Sequence, residues 1–146
     1  MKIGILYGSM TGHSKKIASA IGEAIKVEPQ NVKTKPEFKK LDLLIVIGGI
    51  YGGVSHKGLL QYLNSLNKES VKQAALITSC CSGSQRQDRL RSILEEKGIP
   101  VMADEYVCCG NFLIFRLGHP NKAEIQGAVD YVKKIIAKLS LKKETK

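Results

Sequence analysis

Short runs of apolar, often β-branched residues alternate along this chain with longer stretches whose apolar positions recur every three or four residues. The first kind of run marks a strand buried on both faces, the second an amphipathic helix. Lys2–Tyr7 (KIGILY) reads as the first strand. Ser14–Val27 follows as a helix, with Ile17, Ala18, Ile21, Ala24 and Ile25 opposite Lys15, Lys16, Glu23 and Lys26. Gln30–Lys35 is a weak strand, and Pro36–Asp42 leaves room for one helical turn at most. Leu43–Ile47, ended by Gly48-Gly49, is the strongest buried strand. His56–Leu66 carries Leu59, Leu60, Leu63 and Leu66 on one helical face, and Gln73–Thr78 is the next strand. Gln85–Lys97 reads as a helix with Leu90, Ile93 and Leu94 inward, stopped by Gly98. Pro100–Cys108 is the fifth strand. The last helix starts at Asn121, with Glu124 placed as in a capping box, and carries Ile125, Val129, Val132, Ile136 and Leu139 as its apolar stripe.

Strands alternating with helices specify an α/β fold, a parallel sheet covered by helices on both faces. Ligands of such sheets sit beyond the carboxyl ends of the strands, where strand order reverses. Chemistry is therefore expected in segments 8–14, 48–55, 79–84 and 109–119, all rich in Gly, Ser or Thr. At 146 residues the chain is the size of one domain, expected over 1–140 with a charged, disorder-prone tail over 141–146. A composition of 43% hydrophobic and 25% charged residues excludes a disordered or membrane-embedded chain. The longest apolar stretch, Leu43–Ile50, is far short of a membrane span, and the run Ile3–Tyr7 is too short for a secretion signal. The four cysteines form two vicinal pairs, Cys80-Cys81 and Cys108-Cys109, where a secreted framework would scatter them. A cytoplasmic protein with reduced thiols and no membrane insertion is expected.

Gly8-Ser9-Met10-Thr11-Gly12-His13-Ser14 joins a strand directly to a helix. Such a turn aims backbone N–H groups and hydroxyls at one point beside the positive end of the helix dipole, which suits a phosphate. No Gly-Lys-Ser/Thr follows, so it is not a Walker loop, and the Gly-x-Gly-x-x-Gly of dinucleotide folds is absent.

At these residues the chain resembles the flavodoxin family: Ser9–Ser14 matches the family's Ser/Thr-x-Thr-Gly-x-Thr/Ser loop for the FMN phosphate. Gly49-Ile50-Tyr51-Gly52-Gly53, His56-Lys57-Gly58-Leu59-Leu60, Glu105-Tyr106-x-Cys108-x-Gly110-x-Phe112 and Gly118-His119-Pro120-Asn121 extend the similarity over nearly the full length. The resemblance implies a three-layer fold with a five-stranded parallel sheet in the order 2-1-3-4-5, and FMN as cofactor. It assigns the phosphate to the hydroxyls of Ser9, Thr11 and Ser14, with backbone N–H groups from Met10 through Gly12 and His13 to Ser14. It assigns the isoalloxazine to Gly49, Ile50, Tyr51, Gly52 and Gly53, with Tyr51 stacking, and to Ser79, Cys80, Cys81, Ser82 and Gly83. A ring-on-ring contact of that kind is worth on the order of 1 kcal/mol beyond its buried area.

Three departures from the family matter. The segment Ser79–Ser84 has no aromatic residue to cover a second face of the flavin, and the helix between the second and third strands is nearly absent. The charge is also reversed, since 23 Lys+Arg against 13 Asp+Glu leave +10 where electron-carrying flavodoxins are generally acidic. None of the first three loops contains a carboxylate, and this favours the anionic, fully reduced flavin. The excess charge also suits an acidic redox protein as partner. The lysines are spread without interleaved aromatics, so nucleic acid is not expected.

Cys80-x5-Arg86 has the spacing of a cysteine phosphatase loop, but Gln87 stands where a hydroxyl residue is expected. A receiver domain of the same topology needs acidic residues at the first and third strand ends, and they are missing. No catalytic triad is visible around His13, His56 or His119. The expected role is FMN-dependent electron transfer by a monomer or weak homodimer. The alternative is an FMN-dependent reductase or dehydrogenase of a quinone- or porphyrin-like substrate.

Overall fold

A computed structural model of the chain describes residues 1–10, 12–51, 54–80, 87–109 and 121–145. Its strands are β1 (Ile3–Gly8), β2 (Pro29–Asn31), β3 (Leu43–Tyr51), β4 (Val54–Ser55), β5 (Ala74–Cys80) and β6 (Tyr106–Cys109). Its α-helices are α1 (His13–Ile25), α2 (Lys57–Ser65), α3 (Asp88–Glu96) and α4 (Lys122–Glu144). The five long-range strands pair in parallel in the order β2-β1-β3-β5-β6, and β4 folds back antiparallel on the end of β3. With that short return strand set aside, this is the 2-1-3-4-5 sheet of the flavodoxin-like fold.

The continuous apolar strands are explained by burial on both sides. Ile5, Ile45, Ile47, Ala75 and Ile77 face one way, onto Ile17, Ala18 and Ile21 of α1 and Ala128, Val129 and Val132 of α4. Leu6, Leu44, Val46 and Leu76 face the other way, onto Leu59 and Leu63 of α2 and Leu90, Ile93 and Leu94 of α3. Each Leu, Ile or Val among them contributes about 1.5–3 kcal/mol on burial. This anchors the strands so that their carboxyl ends stand together.

Where boundaries differ from the sequence reading, side-chain hydrogen bonds decide. β2 stops at Asn31 because its Oδ1 accepts from Lys33 N at 2.9 Å and caps a 3₁₀ turn, Val32–Thr34, and Lys35 then turns left-handed at φ 48°. The fifth strand was expected from Pro100, yet only Val101 makes an early bridge, to Ala74. The carbonyls of Met102 and Asp104 are instead taken by Arg91 Nη2 and the Tyr131 hydroxyl, so the ladder resumes only at Tyr106. Gly98 ends the third helix region as expected, at φ 80°, with Ile99 N donating to Leu94 O at 3.0 Å. Asn121 caps α4 by accepting from Glu124 N at 2.8 Å. In α4 it is Ile135, rather than Ile136, that is fully buried with Val129, Val132 and Leu139. Residues 141–144, expected as a tail, continue α4, and Lys143 Nζ lies 3.3 Å from Asp42.

Candidate functional site

The carboxyl ends of β1, β3 and β5 meet at the switch between β1 and β3, where strand order reverses. The loop after β1 is built to turn directly into α1. Ser9 Oγ accepts from Gly12 N at 2.8 Å, closing the turn. Gly12 then adopts φ 88°, a left-handed conformation that glycine takes without cost. Its carbonyl accepts from Lys16 N at 3.1 Å, the first hydrogen bond of the helix.

The start of α1 is left electrostatically bare. Gly12 supplies no side-chain cap, and no acidic residue stands in the first turn. Ser14 lies within that turn with its hydroxyl fully buried and without a hydrogen-bond partner. An unsatisfied buried hydroxyl costs about 1–3 kcal/mol. A phosphate oxygen at this helix terminus would satisfy it, so the residues present fit that group. His13 is half-buried beside it, and burial, reinforced by the Lys16 charge, holds its pKa below the ordinary histidine value. Met10 points into solvent at 71% exposure. Thr11 lies outside the described residues.

The second segment corrects the sequence reading. Gly48, Gly49, Ile50 and Tyr51 were expected as a loop, but β3 continues through them. Pairing on β5 (Gly48↔Thr78, Gly49↔Ser79, Ile50↔Cys80) and on β4 (Ile50↔Ser55, Tyr51↔Val54) holds them extended. The absence of a side chain at Gly48 lets Leu59 of α2 lie directly on the strand, where a Cβ would collide with Leu59 Cδ1. Ile50 is buried. Gly52, Gly53 and the side chain of Tyr51 lie outside the described residues, as do Cys81, Ser82, Gly83 and the side chain of Cys80.

At the end of β5, Ser79 is buried and Thr78 holds a second fully buried hydroxyl without a partner. The β5–β6 register sets Ser79 opposite Cys108 and Cys80 opposite Cys109. Cys108 is buried. Among the described residues, no group of three or more His, Cys, Asp or Glu side chains could hold a metal.

A buried polar network braces these strand ends, and the sequence reading missed it. Gln87 is fully buried; its Nε2 donates to Gly48 O at 3.1 Å, and its Oε1 accepts from Ser55 Oγ at 2.7 Å. Its backbone N–H donates to Glu105 Oε2 at 3.1 Å. Glu105, with a side chain 1% exposed, receives Arg91 Nε at 3.0 Å and Nη2 at 2.8 Å on its other oxygen. One glutamine and one ion pair thus tie β3, β4, α3 and the approach to β6 together. The arrangement also disfavours the phosphatase reading. The N–H directly after Arg86 is directed at a carboxylate, not into an anion cradle.

His56 is a helix-start residue, as expected. Its Nδ1 accepts from Leu59 N at 3.3 Å, and burial with the nearby Lys33 charge lowers its pKa. It also closes on β1, since a Cβ on Gly8 would sit 2.8 Å from that nitrogen. His119 lies outside the described residues.

Strand order and switch point define a doubly wound α/β protein of flavodoxin-like topology. The Flavodoxin domain family matches residues 4–138, and the chain belongs to the flavodoxin family. It is 30% identical to an uncharacterised protein of Methanocaldococcus jannaschii over 93% of this chain and 99% of that one. Among solved structures, a short-chain flavodoxin associated with a bacterial microcompartment superposes with a TM-score of 0.70 at 15% identity, covering 94% of this chain and 99% of the other. The oxidised Flavodoxin 2 of Bacillus cereus superposes with a TM-score of 0.69, again at 15% identity and over 94% and 99% of the two chains. Among the described residues, no helix is long and apolar enough to cross a membrane.

Proposed function

We propose that this protein binds FMN at the β1–α1 loop and the β3 and β5 strand ends, and carries electrons in the cytoplasm to or from an acidic redox protein. The observation that carries the reading is the Ser14 hydroxyl, buried and unpartnered at an uncapped, acid-free helix start. Family membership supports a flavin as the group that belongs there.

Ser9, Gly12, His13 and Ser14 would hold the phosphate, together with Thr11 in the same loop. A neutral His13, favoured by its lowered pKa, can donate one N–H without adding a charge. Bound FMN supplies one- and two-electron chemistry. The chain's own part is to fix the ring beside Gly49–Tyr51 and Ser79–Cys80 and to keep carboxylates away from it. Gln87 does this at one remove, by pinning Gly48 and Ser55. Tyr51 is proposed to stack on the ring and Gly52, Gly53, Cys81, Ser82 and Gly83 to line it.

The test is a titration of the apoprotein with FMN and, separately, with riboflavin, followed by flavin fluorescence and visible absorption. FMN is expected to bind at least about a hundredfold more tightly, because hydrogen bonds to a charged phosphate are worth about 1.5–3 kcal/mol each. Equal binding of the two would remove the phosphate site. Binding of neither would remove the cofactor.

A further inference from the structure

In the connection from β2 to β3 the chain has a 3₁₀ turn in place of a helix, and among the described residues a groove opens there, outside the proposed cofactor site. It has a volume of about 1050 Å³ and runs between the 32–39 segment and α2. Its floor is apolar: Val32 and Leu66 are buried and Phe38 and Tyr62 half-buried. The two rings pack edge to face, with centroids 6.4 Å apart at 84°. The Tyr62 hydroxyl donates to Pro36 O and fastens the segment to the helix. Lys33, Lys35, Lys39 and Lys57 stand exposed around this floor, against Glu37 as the acid lining it. Glu37 is itself taken up by Lys39 at 3.8 Å.

From this we infer that the groove is the docking site for an acidic, aromatic-bearing segment of the partner protein. The apolar floor takes an aromatic anchor, and the lysine rim takes the flanking carboxylates. The volume lies at the upper limit for a small-molecule pocket, which suits a length of polypeptide. Lysine is a point charge without the planar fork that selects phosphate, and among the described residues no arginine lines the groove. These features favour a protein carboxylate over nucleic acid.

Position gives the groove its purpose. His56 lines its head and also abuts Gly8 at the carboxyl end of β1, next to the proposed phosphate loop. A segment bound here therefore brings its parent protein up to the cofactor edge. Its identity as a redox partner rests on the electron-transfer reading, whereas the preference of the groove for acidic peptide does not.

The chain contains no tryptophan, so a probe peptide can report by its own fluorescence. The probe is one Trp flanked on each side by three glutamates, compared with the same peptide made of glutamines. The acidic peptide is expected to bind, weakening as sodium chloride rises from about 50 to 300 mM. K35E/K57E is expected to weaken binding by at least about tenfold, while K133E/K134E on the outer face of α4 leaves it within about twofold. FMN titration of the same variants is expected to be unchanged, showing that they are folded. Failure to bind, equal binding of the glutamine peptide, or equal loss in K133E/K134E would overturn the assignment. So would an oligouridylate that binds more tightly with the same Lys35/Lys57 dependence, which would make the groove a nucleic-acid site. Peptide binding without FMN binding would refute the cofactor reading and leave the groove assignment standing.

Discussion

Replacing Ser14 with alanine separates a structural hydroxyl from one kept for a ligand, because the two readings predict opposite signs. The hydroxyl is fully buried and makes no hydrogen bond in the protein itself. Removing it relieves the apoprotein of about 1–3 kcal/mol of uncompensated desolvation, reduced by the small void that is left. A net stabilisation of about 1 kcal/mol is expected, which for a chain of this size raises Tm by about 2–4 °C. The same change deletes a charge-assisted hydrogen bond to phosphate and should weaken FMN by about ten- to a hundredfold. Riboflavin, which lacks the phosphate, should bind S14A and wild type alike. The exposed Ser19 on the same helix calibrates intrinsic helix propensity through S19A. The assays are thermal unfolding of the apoproteins and fluorescence titration with both flavins. An S14A apoprotein that melts lower and binds FMN unchanged would show that the hydroxyl has a structural partner, and would refute the reasoning.

Further predictions follow from the same geometry. Gly48→Ala drives a methyl group into Leu59 of α2 and should cost about 1–3 kcal/mol in urea unfolding, and less than that when introduced into a Leu59→Ala background; an unchanged midpoint would contradict the close approach. His13 and His56 have folded-state pKa values below the ordinary histidine value, so below that value the unfolded state takes up protons first. Stability should therefore be full above the ordinary histidine pKa and fall as pH drops through it, and His56→Asn, whose Oδ1 can still cap α2, should flatten the fall in pH-dependent urea melts. With no Asp or Glu in segments 9–14, 48–55 or 79–84, the lower-potential one-electron couple of bound FMN should be less reducing than in acidic flavodoxins. A potentiometric titration returning a very low potential would contradict it.

Much of this protein follows from local pattern. Apolar runs such as Leu43–Ile47 and stripes such as Ile17, Ala18 and Ile21 report burial directly, because strand and helix periods are properties of the backbone. That is why the order of the main strands and helices, the caps at Gly98 and Asn121 and the loop after β1 are legible in the sequence itself. Tertiary structure decided what depends on partners distant in sequence. Gly48–Tyr51 is strand because β4 and β5 pair with it, against the local weakness that consecutive glycines suggest. Gln87 had no periodicity or motif to single it out, since its partners Gly48 and Ser55 lie 39 and 32 residues away and Glu105 lies 18 away. The unpaired hydroxyl of Ser14 and the lysine-rimmed groove are likewise facts of packing. Composition sets how many lysines the chain carries, while only the fold decides which of them stand around an apolar floor.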